Sequence, residues 1–474
     1  MQEENFYEYD NSLRDSIATV DKDGKRIWVY PKKPKGSFHN RRIIVTLLLL
    51  SAFFAGPFIK INGHPLLLLN IFERKFIVFG LPFWPQDFIL FALSMITMVV
   101  FIILFTVVFG RLWCGWACPQ TLFMEMVFRK IEYWIEGDAN KQRKLNKMPW
   151  NAEKISKKGL KHVVFILVAF LISHTVMAYL IGIDAAKELI THSPLNNLSG
   201  FIGLVAFTGI FYSVFAFLRE QACTVICPYG RLQSVLLTKD SIVVAYDWLR
   251  GEPRGRIKKN KEQEQKGDCI DCKLCVHACP TGIDIRGGTQ LECVNCTACI
   301  DACDEVMLKI NKPKGLIRYD SYNGIKESKT LSLNPRIAGY IAVLALLLGA
   351  TSYLMANRSS IETTILKVPG TLYQKQANGD ITNLYKIQFI NKTFDSTTIK
   401  AELINFEGAS LQQVGKKTIQ MQPNSMLESV YIIEIPRDKL TSSKTSLKIG
   451  IYNNDKLIDV KETSFLSPRK RRKK

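Results

Sequence analysis

Cysteine is the residue type whose spacing carries most chemical information in this sequence. The chain has 12 cysteines among 474 residues, and all of them occur in closely spaced groups. Eight form two runs, in each of which three cysteines separated by two residues are followed by a fourth after a gap of three. Bacterial ferredoxins bind 4Fe–4S clusters through thiolates at this spacing. The two runs consist of Cys269, Cys272, Cys275 and Cys279, and of Cys293, Cys296, Cys299 and Cys303.

The two runs are expected to exchange their last cysteines. In the double ferredoxin pattern, three close thiolates hold one cluster, and the fourth reaches the neighbouring cluster. The two predicted ligand sets are Cys269, Cys272, Cys275 and Cys303, and Cys293, Cys296, Cys299 and Cys279. Asp304 follows Cys303 where a generic ferredoxin has proline, and this difference changes the loop but not the ligand set.

A pair of zinc knuckles, or reduced cysteines that fill a core, are the alternatives for these eight cysteines. Zinc sites usually pair two Cys-x-x-Cys hooks across a longer gap. Each run here has four cysteines, which favours iron–sulfur clusters. Interleaved ligands also place the two clusters close together, as one-electron transfer requires.

The remaining four cysteines lie in two copies of a Cys-x-x-x-Cys-Pro motif. Its i, i+4 spacing places each thiol pair on one helical face, and the proline interrupts that helix but suits the first turn of the next. Soft thiolates suit Cu(I), and copper is a one-electron metal. The copies read Trp113-Cys-Gly-Trp-Ala-Cys-Pro119 and Ala222-Cys-Thr-Val-Ile-Cys-Pro228. We therefore predict one catalytic, copper-handling site formed by Cys114, Cys118, Cys223 and Cys227.

Two other interpretations of these four cysteines stay open. One is that they are buried simply as small apolar residues, as cysteine often is. The other is that each pair forms a redox disulfide. The repetition of the motif, with proline each time, argues against chance.

The composition indicates a membrane protein. Hydrophobic residues make up 47% of the chain, yet its formal net charge is +21. Nucleic-acid binding would require a recognisable basic module, and the sequence contains none, so no nucleic-acid partner is expected. A multi-span membrane protein collects Lys and Arg in its cytoplasmic loops. The first 41 residues are polar and charged, which argues against a cleavable signal peptide.

Five segments are apolar over the roughly 20 residues that a membrane-spanning helix needs. They are 43–61, 88–109, 163–183, 198–218 and 337–356. The segment 64–85 is also apolar, but charged residues and prolines interrupt it. We expect it to be re-entrant or interfacial.

Basic residues near the span ends predict the orientation. The segment before the first span and the loops 110–160 and 219–335 are rich in Lys and Arg, so we place all three in the cytoplasm. An odd number of spans then places the carboxy-terminal region in the periplasm. The basic tail is interpreted as solvated.

The carboxy-terminal region changes to short apolar or alternating segments between turn residues, which predicts a β-sandwich. The fold class is thus an α-helical membrane domain of about five spans, an inserted double 4Fe–4S ferredoxin domain and a β-sandwich. The predicted domains are a cytoplasmic segment 1–41, a four-span domain 42–250, a ferredoxin domain 251–335, a fifth span 336–357, a β-sandwich 358–466 and a tail 467–474.

The order of these features resembles the CcoG/FixG/RdxA accessory proteins. The resemblance rests on the paired membrane-edge motifs, the ferredoxin runs with Cys299-Ile-Asp-Ala-Cys-Asp-Glu-Val-Met307, and the carboxy-terminal β-domain, and it covers nearly the whole chain. It implies an immunoglobulin-like outer domain, a bacterial inner-membrane location and a role in assembling the cbb-type cytochrome c oxidase. It also implies a cupric reductase that converts Cu(II) to Cu(I) before the copper enters the oxidase.

The expected partners are the membrane, copper, and oxidase subunits or copper-delivery proteins, with a cytoplasmic electron donor that the sequence does not identify. Two other functions stay open. One is an electron-relay subunit of a quinol-oxidising complex, and the other is a non-enzymatic assembly scaffold with structural clusters.

Anaerobic iron and sulfide analysis tests the ferredoxin prediction. About eight iron and about eight sulfide are expected per chain, because two 4Fe–4S clusters contain that number. The substitution Cys279→Ser should damage the cluster predicted at Cys293, Cys296 and Cys299. A preparation that contains only zinc would contradict the prediction.

A reporter fused after Lys474 tests the topology. A reporter that works only in the periplasm should be active there, because five spans follow a basic amino-terminal segment. Activity of a strictly cytoplasmic reporter would mean that one span has been miscounted.

Overall fold

A computed structural model describes residues 19–20, 23, 25–61, 63–71, 75–256, 266–328, 335–370, 372–415, 419–453 and 456–468. Residues 1–18 and the tail residues 469–474 lie outside these ranges. In the described residues, five helices are long and apolar enough to cross a membrane, which confirms the prediction of five spans. These spans are Ser37–Phe58, Phe88–Phe109, Ala152–Ile181, Leu198–Leu218 and Pro335–Ala356.

In the described residues, every α-helix lies before residue 357, and all strands longer than four residues follow it. The α-helices are α1 (Ser37–Ala55), α2 (Phe88–Phe109), α3 (Leu112–Trp116), α4 (Pro119–Thr121), α5 (Arg129–Ile135), α6 (Ala139–Lys147), α7 (Ala152–Ile181), α8 (Ile183–Thr191), α9 (Leu198–Ser213), α10 (Pro228–Leu236), α11 (Trp248–Gly251), α12 (Leu274–Ala278), α13 (Ala298–Lys309), α14 (Tyr322–Glu327) and α15 (Pro335–Ala356). The strands are β1 (Lys60–Ile61), β2 (His64–Pro65), β3 (Leu67–Asn70), β4 (Lys75–Val78), β5 (Leu81–Phe83), β6 (Val243–Tyr246), β7 (Ile317–Asp320), β8 (Ile361–Lys367), β9 (Gln374–Lys375), β10 (Ile381–Asn391), β11 (Thr397–Leu403), β12 (Ser410–Gln413), β13 (Ile419–Met421), β14 (Met426–Ile435), β15 (Lys444–Asn453) and β16 (Lys456–Leu466). Three π-helical turns are Leu122–Phe128, Val214–Leu218 and Ala222–Ile226.

The third span begins earlier than its apolar stretch. Helix α7 starts at Ala152, where the Asn151 side chain accepts a hydrogen bond from the backbone N–H of Lys154. Such a cap satisfies an otherwise unpaired N–H of the first turn. The helix therefore continues through its Lys-rich start, which hydropathy alone excludes from a span. It ends at Gly182, whose φ of 89° favours glycine.

The chain divides into two compact units. The first comprises Met1–Asn70 and Ala92–Gly349, and the second comprises Ile71–Phe91 and Ala350–Lys474. In the first unit, strands β6 and β7 pair antiparallel and join the two ends of the ferredoxin region. Strand β6 begins at Val243, upstream of the predicted domain start at 251. It belongs with the ferredoxin region because its partner β7 follows the ferredoxin cysteines in the chain.

The second unit is a β-sandwich with a hairpin packed on it. Its two sheets have the strand orders β12-β14-β10-β8, with β9 also on β10, and β13-β11-β15-β16. Along β10, buried Tyr385, Ile387 and Phe389 alternate with less buried residues, as expected for a strand with one face in a core. The predicted β-sandwich is confirmed.

The described part of the segment 64–85, which we expected to be re-entrant or interfacial, contains strands. Strands β4 and β5 form an antiparallel hairpin. Asp87, after the hairpin, forms ion pairs with Arg358 at 2.6 Å and Lys392 at 2.5 Å, and both partners belong to the same unit. The Arg358 and Lys392 hydrogen bonds outweigh the opposing effect of burial and lower the pKa of Asp87. The hairpin is therefore held to the β-sandwich by charge-assisted hydrogen bonds.

Candidate redox site

The eight ferredoxin cysteines surround two adjoining cavities in the first unit. Four of them line the first cavity, namely Cys269, Cys272, Cys275 and Cys303. Five line the second cavity, namely Cys275, Cys279, Cys293, Cys296 and Cys299. The structure thus brings together the two predicted sets of four, including the exchanged Cys279 and Cys303. Cys275 lines both cavities, so the two cavities are neighbours.

The two cysteine loops have the same unusual backbone. Asp271 and Lys273 flank Cys272, and Asn295 and Thr297 flank Cys296, all four with φ between 52° and 64°. Residues other than glycine rarely adopt this left-handed conformation. Two pairs of such residues at equivalent positions indicate that each loop has a backbone conformation that turns its thiols towards a cavity.

The donor set fits iron–sulfur clusters. Burial raises the pKa of Cys275 and that of Cys296 to about 12 each. These thiols would stay protonated near neutral pH unless a bound cation stabilised the thiolate. Eight thiols around two adjoining cavities, five of them on buried cysteines, can meet that requirement with two cationic iron–sulfur cores.

The membrane-edge motifs lie at helix breaks, as predicted. Helix α3 ends before Cys118, and Pro119 occupies the first turn of α4. In the second copy, a π-helical turn ends before Cys227, and Pro228 begins α10. π-Helical turns occur frequently at functional sites.

Buried charges hold the two motifs beside each other. Helix α5 follows the first motif and carries Glu132, whereas Arg219 precedes the second motif. The Arg219 guanidinium donates to both carboxylate oxygens of Glu132, at 3.0 and 2.8 Å. Lys161 of α7 also approaches Glu132, at 3.6 Å. Loss of one partner from such a buried pair typically costs about 3–5 kcal/mol, so this network fixes the motifs relative to the third and fourth spans.

The charges of neighbouring motif cysteines act on Cys114 and Cys223. Burial, together with the charges of other motif cysteines, raises the pKa of Cys114 to about 11 and that of Cys223 to about 12. The side-chain amide of Gln233 donates to the Cys114 sulfur at 3.5 Å. Over the part of the chain that the structure describes, no three His, Cys, Asp or Glu side chains are grouped to hold a single metal ion. The convergence of all four thiols on one copper ion therefore stays a prediction.

The motifs contact the second ferredoxin run. Cys114 and Cys223 pack against a buried cluster that contains Cys296. The backbone at Gly115 lies so close to the ferredoxin loop that an added Cβ would be 2.6 Å from the carbonyl oxygens of Val294 and Asn295. One predicted cluster ligand and two predicted copper ligands therefore share one packed region.

Arg42 reinforces this contact. Its guanidinium donates to the carbonyl oxygen of Gly115 at 3.1 Å and to that of Cys296 at 2.9 Å. The Trp116 indole donates to the Tyr319 hydroxyl, which donates to the carbonyl oxygen of Asn295. The basic residues before the first span predicted only the orientation, and these contacts of Arg42 were not predicted. The glycine between the two motif cysteines was the one available signal.

Comparisons with known proteins agree with this arrangement. A 4Fe–4S dicluster domain model matches residues 218–322, a 4Fe–4S binding domain model matches 91–141, and a model of the immunoglobulin-like fold at the carboxy terminus of FixG matches 351–468. The dicluster match supports two iron–sulfur clusters in this chain. The match over 91–141 contains Cys114 and Cys118 as its only cysteines.

Relatives match along most of the chain. RdxB of Cereibacter sphaeroides is 32% identical over 86% of this chain and 89% of RdxB. FixG of Rhizobium meliloti is 29% identical over 90% of each chain. RdxA of Cereibacter sphaeroides is 34% identical over 77% of this chain and 79% of RdxA. The similarity therefore extends across the helical, ferredoxin and β-sandwich regions.

The substitution Gly115→Ala tests the contact between motif and ferredoxin loop. A methyl group at this position should overpack the interface and cost about 1–3 kcal/mol. We expect a lower thermal unfolding temperature and faster alkylation of Cys114, measured by peptide mass spectrometry. Gly159→Ala is the control, because an added Cβ there meets no atom within 4 Å. Unchanged alkylation of Cys114 in Gly115→Ala would show that the interface is not closely packed.

Proposed function

The chain belongs to the family of FixG, RdxA and RdxB, and on this premise we propose that it reduces Cu(II) to Cu(I) at the paired membrane-edge motifs. It is an iron–sulfur membrane protein suited to electron transfer. The proposal adds that the electrons end on copper, and that the cuprous product is used to assemble a cbb-type cytochrome c oxidase.

One observation carries the proposal. Cys114 and Cys223 pack in the same buried cluster as Cys296, which belongs to the second predicted cluster-binding set. Electron transfer needs short distances between donor and acceptor. A thiol that holds copper at this place would be separated from a cluster ligand by a packed contact rather than by solvent.

The residues have distinct roles in this reaction. When bound, the two 4Fe–4S clusters supply sites that accept and release one electron at a time. Cys114, Cys118, Cys223 and Cys227 bind the copper substrate, and Arg42 holds Gly115 against the ferredoxin loop during transfer. Each Cu(II) takes up one electron and becomes Cu(I), with no bond broken and no proton moved. Thiolates favour the product, because soft ligands select Cu(I).

The proposed setting is the bacterial inner membrane. The ferredoxin region faces the cytoplasm, where a reduced donor delivers electrons, and the β-sandwich faces the periplasm, where it contacts oxidase subunits or copper-delivery proteins. Two groupings support five alternating spans. The first unit contains the segments before the first span, after the second span and after the fourth span. The hydrogen bond from the Lys32 N–H to the His277 carbonyl oxygen, for example, joins the first of these segments to the last. The hairpin before the second span packs with the domain after the fifth span, through Asp87 and Arg358.

One finding favours a second candidate, an electron-relay subunit for a quinol-oxidising complex. The 4Fe–4S binding domain model covers Cys114 and Cys118. Such a segment would pass electrons to another carrier rather than to copper, and it would then bind no copper.

The double substitution Cys114→Ser/Cys118→Ser tests copper reduction. It should abolish the formation of Cu(I) by dithionite-reduced protein, since a hydroxyl is a harder and poorer ligand for Cu(I). Iron content should remain near that of the parent protein, because none of the eight ferredoxin cysteines is changed. The measurement is an anaerobic cuprous-ion assay alongside iron analysis.

The matched control is Cys272→Ser, which should lose iron but keep the copper-binding thiols. Copper reduction by the double variant at the parent rate would place the site elsewhere. Loss of iron from the double variant would instead indicate that the motif cysteines bind an iron–sulfur group, as the relay candidate allows.

A further inference from the structure

A basic cavity opens at the surface of the ferredoxin region. Its volume is about 350 Å³. The lining consists of three lysines and a proline from the segment before the first span, two carboxylates, and three alanines, of which Ala278 and Ala298 are buried and form the floor. The lining residues are Lys32, Lys33, Pro34, Lys35, Asp138, Glu305, Ala278, Ala298 and Ala302.

The floor of the cavity is one residue away from the predicted cluster ligands. Ala278, Ala298 and Ala302 immediately precede Cys279, Cys299 and Cys303 in the chain. Two of these cysteines belong to the second predicted set, and Cys303 belongs to the first. A molecule seated on the small alanine side chains would therefore approach ligands of both clusters more closely than it could over larger residues.

The lysine segment is held in place by its backbone. The Lys32 N–H donates to the carbonyl oxygen of His277 at 2.7 Å, and the Lys33 N–H donates to the Asp138 carboxylate at 2.8 Å. The side chains of Lys32, Lys33 and Lys35 are exposed. The segment thus presents three ammonium groups at a defined place beside the cavity.

The carboxylates of the cavity have partners besides the three lysine side chains, although Lys309 first, and then the charges of Lys32 and Lys35, lower the pKa of Glu305. Asp138 accepts a hydrogen bond from the Ala139 N–H and caps helix α6. Glu305 pairs with Lys309 at 2.5 Å. Among the described residues, no ion pair includes Lys32, Lys33 or Lys35.

Nearby cations strengthen the positive field. Burial lowers the pKa of Lys130, and the charges of Lys33 and Arg42 lower it further. Positive groups are therefore crowded on this side of the first unit. An anionic partner would relieve their mutual repulsion.

We propose that this cavity is the docking site of an acidic one-electron carrier protein of the iron–sulfur or flavin type. This inference rests on the proposed function, which needs an electron donor. The reduced carrier loses one electron and the ferredoxin region gains one, without a change in any covalent bond or proton. Transfer takes place across the alanine floor.

The lining favours a protein over a small planar cofactor. No aromatic ring and no hydroxyl group lines this described cavity, so little in it would stack on or orient a flat molecule. Exposed lysines at the rim suit a protein surface instead. Redox partners commonly form small, weak interfaces, and complementary charge accelerates their association.

The test uses the full-length protein with its clusters in detergent and purified flavodoxin, an acidic flavin-carrying protein, as the probe. Binding of oxidised flavodoxin is measured by surface plasmon resonance at low and high salt. Cluster reduction by reduced flavodoxin is followed anaerobically by stopped-flow absorbance. The variant is Lys32→Glu/Lys33→Glu/Lys35→Glu, and its control is Lys375→Glu/Lys400→Glu/Lys444→Glu, which makes the same charge change at exposed lysines of the β-sandwich.

We expect the cavity variant to lose about tenfold or more in the association rate and to lose its salt dependence, because steering by charge is reversed. The control variant should stay near the parent values. The corresponding Lys→Gln triple variant should show an intermediate loss. Equal binding and equal reduction rates in the cavity and control variants would overturn the proposal. So would cluster reduction by free reduced flavin mononucleotide that depends on the same lysines, which would assign the cavity to a small molecule.

Dithionite separates this inference from the proposed function. Protein reduced with dithionite and then freed of excess dithionite by anaerobic gel filtration should reduce copper equally in the parent and in the control variant, whatever donor docks at the lysines. Failure of this pre-reduced parent protein to reduce copper would contradict the proposed function, whereas the flavodoxin binding results would still decide the docking site.

Discussion

The buried guanidinium of Arg42 joins three parts of the chain that are far apart in sequence. It lies at the start of the first span and bonds the backbone of the first cysteine motif and of the second ferredoxin run. A buried cation is costly unless polar groups surround it, and here carbonyl oxygens provide part of that compensation. Its charge also favours the Cys296 thiolate, against the larger opposing effect of burial. Arg42 thus contributes both to the packing and to the electrostatics of the redox site.

Polar interactions at the membrane edge fix the rotation and depth of the spanning helices, which apolar contacts with lipid leave undetermined. Contacts with lipid do not favour one rotation or depth of a spanning helix over another, because lipid tails are as apolar as the side chains of the helix. Specific hydrogen bonds and ion pairs fix the rotation and depth in this protein. Asp301 of the ferredoxin region accepts hydrogen bonds from the Phe38 and His39 N–H groups at the start of α1, and the Glu132–Arg219 pair joins the two cysteine motifs.

The segments between the spans fall into two groups. One group contains the ferredoxin region, both cysteine motifs and the lysine segment, and the other contains the hairpin and the β-sandwich. Each group has its own core, one rich in cysteine and the other built from alternating strand residues. The cysteine motifs and the β-sandwich therefore belong to separate folded units, and the partner contact that we propose for the β-sandwich would be separate from the redox site.

Much of this protein could be predicted from local sequence patterns. Cysteine spacing predicted which thiols lie together, because a short loop can place its thiols in few arrangements. Apolar length predicted five spans, and alternation predicted the sandwich. The start of the third span was predicted at 163, whereas the helix begins at Ala152. A helix continues wherever its backbone hydrogen bonds and caps are satisfied, whether or not its side chains are apolar.

Only the tertiary structure decided which distant segments meet. The contact of Gly115 with Val294 and Asn295, and the pairing of strand β6 with β7, join residues separated by long stretches of chain. The placement of the lysine segment beside three alanines is of the same kind. Local spacing determines which groups a segment carries, whereas packing and hydrogen bonding across the whole chain determine which segments become neighbours. The sequence by itself therefore determined which cysteines are available as metal ligands, and the tertiary structure determined which of these cysteines become neighbours.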